Sequence, residues 1–230
     1  MPKFIDLSQE IYQGMPIYPG HQKTIIWTHH THEEVAKNFE GGFSYQSRGV
    51  LFSDHGPTHV DAISHLDPRP EAPSIEKMPL DTFYGEATCI DVSHKKPHEY
   101  ISAADMNEAL AKSGAELHKG DILLIYTGTV DRLEGTMEYT NQYPGLDESA
   151  SNWLVEKGVK TFGVDCPSPD NPISRTYPCH MMCREHGMTH YENLANLDKL
   201  VGKRFIFMGF PLRFRDGTGS PVRAVALLDG

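Results

Sequence analysis

The chain has 230 residues, 39% of them hydrophobic and 23% charged, with a formal net charge of −10. That length supports a full core without staples and reads as one domain over residues 1–230. An acidic chain with no basic run excludes nucleic acid and an anionic membrane surface as expected partners. Apolar runs such as Ile122-Leu123-Leu124-Ile125-Tyr126 fall far short of the roughly 18 residues a membrane span needs.

The opening Phe4-Ile5-Asp6-Leu7-Ser8 is a short apolar segment with a polar stop, and residues 1–10 lack a secretory pattern. Gly14, Pro16, Pro19 and Gly20 punctuate a loop. Residues 25–28 are strand-like by type, and residues 37–49, with Gly41-Gly42, predict a loop or a turn between strands. Four prolines between Pro68 and Pro79 impose an irregular or extended path. A strand is predicted over 85–92. Ser102 then caps a helix over 103–113 that stops at Gly114. The run 122–126 has the composition of a buried strand. A helix over 147–157, carrying Ala150, Trp153 and Leu154, ends at Gly158, and strands follow at 159–164, 204–210 and 222–228. The helix–strand alternation over 85–165 predicts an α/β unit. Four cysteines form no disulfide scaffold and no Cys-x-x-Cys pair, which argues against a redox protein and predicts a reducing, cytoplasmic setting.

The 13 histidines cluster. In His55-Gly56-Pro57-Thr58-His59-Val60-Asp61-Ala62-Ile63-Ser64-His65, three imidazoles and a carboxylate offer the nitrogen and oxygen donors that suit zinc, manganese or a similar divalent ion. His59 and Asp61 share a face if they lie on a strand, and Gly56-Pro57 favours a chain reversal over a helix between His55 and His59. A second run extends from Cys179 to Asn193. One reading is a structural zinc knot of Cys179, Cys183, His186 and His190, although the spacing is not a standard finger. The other has His180 and Glu192 completing the first cluster from across the fold. Met181, Met182 and Met188 read as core or pocket wall, Cys89 as a small buried residue. His29, His30 and His32 read as a solvated group near a subunit boundary.

The motif resembles the signature His-x-Gly-Thr-His-x-Asp-x-Pro-x-His of the cyclase family of metal-dependent hydrolases, with formamidase and isatin-hydrolase branches. Pro57 stands where Gly is usual and Ile63 where Pro is usual. Further likenesses are Ile5-Asp6-Leu7-Ser8, Met15 to Gly20, Tyr143-Pro144-Gly145-Leu146, Gly163 to Asp170, Glu192-Asn193-Leu194, Pro211-Leu212-Arg213 and Ser220 to Ala224. The resemblance implies a compact α/β domain with a mixed, barrel-like sheet flanked by helices, of the swivelling β/β/α type, usually a homodimer or larger. It implies His55, His59, Asp61, His180 and Glu192 as metal ligands. Asp61 would bridge two ions in the formamidase branch, where the isatin branch holds one. His65 matches the catalytic histidine. The implied cofactor is divalent zinc or manganese, one or two ions per subunit.

The activity expected is opening of a small amide, lactam or N-formyl amide by metal-activated water. A lactone hydrolase on the same site and a zinc-stabilised binding domain without activity are the alternatives. Candidate substrate-binding residues are Trp27, Ser168 and Arg213. Trp27 reads as the wall of an aromatic pocket or as plain core or dimer interface, and Arg213 and Arg223 as carboxylate clamps or structural ion pairs. Phe39 and Phe43 read as a lid or a plain surface loop.

Overall fold

The run Ile122-Leu123-Leu124-Ile125 is buried along its whole length, because it lies mid-sheet with packed layers on both sides. The structure is a computed structural model that describes residues 2–228. In chain order, β1 (Lys3–Asp6) is followed by a ribbon, β2 (Ile25–His30), α1 (His32–Ala36) and β3 (Ser47–Leu51). Then come β4 (His59–Asp61), α2 (Ile63–Leu66), β5 (Tyr84–Asp91), β6 (Tyr100–Ile101), α3 (Ala103–Ser113), β7 (Ile122–Tyr126) and α4 (Thr129–Leu133). The chain continues through β8 (Gly145–Leu146), α5 (Glu148–Glu156), β9 (Thr161–Val164), α6 (Pro178–His186), β10 (Thr189–Glu192), β11 (Arg204–Met208), β12 (Gly219–Pro221) and β13 (Val225–Leu228).

Nine strands form one mixed sheet in the order β1-β13-β11-β5-β7-β9-β10-β4-β12, curled into a half-barrel. The central pairs β5–β7, β7–β9 and β9–β10 are parallel, and the flanking pairs are antiparallel. Alternation along β7 splits the core in two. Ile122 and Leu124 join Leu7, Val60, Phe83, Tyr191 and Phe207 on one face. Leu123 and Ile125 join Met106, Trp153, Phe162 and Cys179 on the other, beneath α3, α5 and α6.

Both predicted helices form. Ser102 accepts from the Asp105 amide while the Asp105 carboxylate accepts from the Ser102 amide, and Gly114 stops α3 at φ 67°. The Asp147 side chain caps α5 by accepting from the Ala150 amide at 2.9 Å. The final strands begin or end inside their predicted ranges. At the start of the 159–164 segment, the Val159 and Lys160 amides bond to Leu154 and Asp121 carbonyls, so the ladder opens only at Thr161. Helix α6 was not expected over the second histidine run. Pro178 at its first turn and Gly187 at φ 62° after its last are its bounding signals. Residues 37–49 are loop up to β3, whose first residue is Ser47.

Candidate metal centre

Strands β4 and β10 are antiparallel neighbours, with Glu192 directly opposite His59 and Tyr191 opposite Val60. Continuing that register sets His190 opposite Asp61. On each strand two residues spaced by two share a face, so His59 and Asp61 meet His190 and Glu192 on one side of the sheet. Val60 and Tyr191, between them, point into the core on the other side. β12 brings Gly219 against Asp61 on the far edge. A Cβ at Gly219 would lie 2.8 Å from the His55 ring, so only glycine leaves that imidazole its place.

The side chains converge closely. Nδ1 of His55 is 2.8 Å and Nε2 of His59 is 3.3 Å from Asp61 Oδ1, and the same His59 nitrogen is 3.4 Å from Glu192 Oε2. Nε2 of His190 is 3.1 Å from Glu192 Oε1 and 3.5 Å from Asp61 Oδ2. Nε2 of His180 is 4.0 Å from Asp61 Oδ2. Two sets could each hold an ion and share Asp61: His55, His59 and Asp61, and Asp61, His180, His190 and Glu192.

Outer hydrogen bonds fix which nitrogens face inward. Nδ1–H of His59 donates to the Pro57 carbonyl at 2.9 Å. Its Nε2 lone pair is therefore turned toward two carboxylates, where it is buried and makes no hydrogen bond among the described residues. Against the effect of burial, Asp61 and Glu192 raise the His59 pKa, so this position favours a positive charge, which a proton or a metal cation can supply. The donor set fits a divalent metal for that reason. Nδ1–H of His180 donates to Asp170, which also accepts from the Cys179 and His180 amides at the start of α6. The Thr218 hydroxyl sits 2.9 Å from His55 Nε2 and donates to Asp54 at 2.8 Å. Burial would raise Asp61, but His190, His55 and His59 hold its carboxyl well below the usual range.

His65, on α2, reaches the same place from the other side. Its ring centroid is 4.0 Å from that of His55, and its Nε2 is 3.9 Å from Asp61 Oδ2. Burial, helped by His55 and His180 against the pull of Asp61, brings its pKa down to about 4. A cavity of about 380 Å³ opens above, lined by His21, His55, His65, His180, Asp61 and Glu192 and walled by Tyr18, Leu66, Pro167 and Tyr177. Its volume suits a small molecule.

The family model described as "Putative cyclase" matches residues 5–171. The chain belongs to this cyclase family. Among its relatives, the kynurenine formamidase of Bacillus cereus (strain ATCC 14579) is 29% identical over 223 residues, covering 97% of this chain and 96% of the relative. The kynurenine formamidase of Salinibacter ruber is 27% identical, covering 96% and 95%. Among solved structures, isatin hydrolase A from Labrenzia aggregata bound to benzyl benzoate superposes with a TM-score of 0.86 at 20% identity, covering 99% of this chain and 94% of that one. An isatin hydrolase bound to the product analogue thioisatinate gives 0.85 at 22% identity, covering 100% and 93%. These structures show that the cyclase fold is shared across the whole chain.

Of the residues expected from the sequence, His55, His59, Asp61, His65, His180 and Glu192 meet at one centre, and Ser168 lines its cavity. Trp27 and Arg213 are not brought there. Trp27 is 48% exposed on the β2–β3 ribbon, its ring packed over Gly49, and it is not core. Arg213 stands exposed between β11 and β12. Arg223 makes a structural ion pair with Asp6. Phe39 and Phe43 pack on each other, centroids 5.1 Å apart, in an exposed loop. Met181 is exposed rather than core, whereas Met182 and Met188 are buried. The zinc knot does not assemble among the described residues: His186 is exposed and His190 turns its Nε2 to Asp61 and Glu192.

His190, Asp170, Thr218, Tyr18 and Tyr177 also belong to the centre or its surroundings and were not among the site residues expected from the sequence. His190 carried a readable signal. His190-x-Glu192 repeats the strand spacing of His59-x-Asp61. The other four come from loops whose paths no local pattern predicts.

Proposed function

We propose that this cyclase-family protein opens the C–N bond of a small aryl amide, either an N-formyl arylamine or a lactam, with His55, His59, Asp61, His180 and Glu192 as metal ligands. It is a metal-dependent hydrolase of amide C–N bonds. The observation that carries the ligand assignment is the buried His59 Nε2, aimed at Asp61 and Glu192 with no hydrogen bond of its own. A divalent ion held there supplies a Lewis acid that acidifies water to a pKa of about 7 and polarises a carbonyl. Zinc and manganese both suit this mix of imidazole and carboxylate. We assign two ions per subunit, because two ligand sets share Asp61.

His65 is the proton carrier. With its pKa near 4 it is neutral at pH 7, faces the cavity and can take a proton from attacking water. Water oxygen bonds to the carbonyl carbon, the C–N bond breaks, and His65 returns the proton to the departing nitrogen; the carboxylic acid formed releases its remaining proton to solvent, leaving a carboxylate and an amine. Tyr18, Leu66, Pro167 and Tyr177 offer flat and apolar surfaces for the aryl group. The Ser168 hydroxyl accepts from the Asp170 amide at 3.2 Å and keeps its own proton for the substrate. The relatives' names point to the same bond type. Attack on a lactone uses the same groups and is the second reading.

A homodimer is the expected assembly, since Ile25, Trp27 and Leu51 leave an apolar face exposed on the β2–β3 ribbon. No described helix is long and apolar enough to cross a membrane, and the four buried free cysteines suit a reducing cytoplasm. The test compares matched N-formyl arylamines, isatin-like lactams and lactones on wild type and His65→Ala. Faster amide or lactam turnover, with metal retained but turnover lost in His65→Ala, is expected. Preference for the lactones, or full activity in His65→Ala, would contradict the proposal.

A further inference from the structure

We infer that His190 is itself a metal ligand, and that it closes the inner of two unequal sites. The inference rests on the metal reading above and adds a residue to it. None of the ligand roles that the family resemblance implies includes His190.

The geometry is that of a four-ligand site. His190 Nε2 lies 3.1 Å from Glu192 Oε1 and 3.5 Å from Asp61 Oδ2. His180 Nε2 lies 3.9 Å and 4.0 Å from the same two oxygens. All four ligand atoms lie within 4.8 Å of one another. Bonds of about 2.0–2.2 Å in a tetrahedron separate ligand atoms by about 3.3–3.6 Å, and the observed edges bracket that range. The two imidazole planes cross at 76° with centroids 4.9 Å apart, so each can present an edge nitrogen to a common point.

The far side of His190 is arranged as for a ligand. Its Nδ1 lies 3.7 Å from Cys183 Sγ, on α6 one turn after Cys179. With Nδ1–H directed at that sulfur, the Nε2 lone pair points to Asp61 and Glu192, as in His59 and His180. Phe162 stacks on the ring at 5.3 Å and 20°, fixing its plane. The plain alternative is a core histidine paired with Glu192. It accounts for one contact at 3.1 Å but leaves unexplained why His180, held by Asp170, is aimed at the same oxygens.

The two sites then differ in kind. Asp61, His180, His190 and Glu192 supply four protein ligands, with His190 wholly buried beneath them. His55, His59 and Asp61 supply three. A closed set retains its ion; an open set leaves a position for water or substrate. The inner ion is therefore the slowly exchanging one, and the three-ligand site the exchangeable, reactive one.

Cobalt(II) added to chelator-stripped full-length protein tests this without reference to turnover. Each coordinated imidazole contributes one solvent-exchangeable N–H resonance shifted far outside the normal proton range. The expected number for wild type is four, from His55, His59, His180 and His190. Three would overturn the inference while leaving the metal reading intact. Failure to take up cobalt at all would overturn both. In parallel, His190→Leu is expected to weaken the more tightly held equivalent by at least tenfold and to dim the visible bands of the four-coordinate ion, while His59→Ala affects the other equivalent. A folded His190→Leu protein with wild-type affinity and spectrum would assign His190 to the core alone.

Discussion

Each ligand histidine depends on a neighbour that the ion would not touch. Asp170 holds His180 by its Nδ1 and is itself anchored by two amides of α6. Replacing it with Asn removes the charge and the tautomer preference, so Asp170→Asn is expected to lower metal affinity by about 10–100-fold. Chelator competition measures this, and wild-type affinity would contradict it. Gly219 acts by absence of bulk. Gly219→Ala places a methyl 2.8 Å from the His55 ring, and the ring must tilt away from Asp61. A loss of similar size is expected in the same assay. His65 should titrate in the stripped protein with a midpoint about 4 by NMR, because burial opposes its charge. A midpoint near the ordinary 6.5 would show that the cavity is wetter than the structure implies. At this scale the sequence was most informative where ligands are close in the chain. His55 to His65 stood out as a group, while Asp170 and Thr218 drew no notice as positioning residues, since only the folded loops bring them to the imidazoles.

Elements were legible where local chemistry decides them. The capping box and glycine stop of α3 and the Asp147 cap of α5 are written in a few adjacent residues, and the structure uses both. Ser102→Ala is expected to cost about 1 kcal/mol in denaturant unfolding, since the Asp105 amide loses its acceptor. No loss would mean that the cap is replaced by solvent. Helix α6 is masked in the sequence by its cysteines and histidines, whose spacing also allows a metal knot. Cys179, Met182 and Cys183 form its buried face, and His180, between them in sequence, is turned toward the centre. The β2–β3 ribbon shows the opposite case. Its strand at 25–28 was foreseen, but its place outside the main sheet follows from pairings over the whole chain, which is why Trp27 could not be assigned a neighbour in advance.

At the scale of the molecule, the half-barrel brings together residues more than a hundred positions apart, and no window of sequence contains that contact. Glu192 sits opposite His59 only because β10 pairs with both β9 and β4. His180 and Glu192 follow as ligands from the family resemblance; their spacing by itself is compatible with two arrangements. Stability to acid also belongs here. Asp67, between α2 and α6, is held at about 2 by Arg69, with Arg184 adding to it, and Asp105 at about 2 by Lys95 and Ser102 against its partial burial. Both folded values lie below the ordinary 3.8, so the stabilisation is complete above pH 4 and is lost as pH falls from about 4 to about 2. Unfolding midpoints of the stripped protein should drop across that window, and less steeply in Asp67→Asn. A flat profile there would contradict the pairing.

The most direct test of the central claim is hydrolysis of an N-formyl arylamine by protein stripped of metal and then restored with measured equivalents of zinc or manganese. Activity that vanishes on stripping and returns in proportion to the ion bound is the predicted result. Undiminished hydrolysis by a preparation shown to be free of metal would contradict the account.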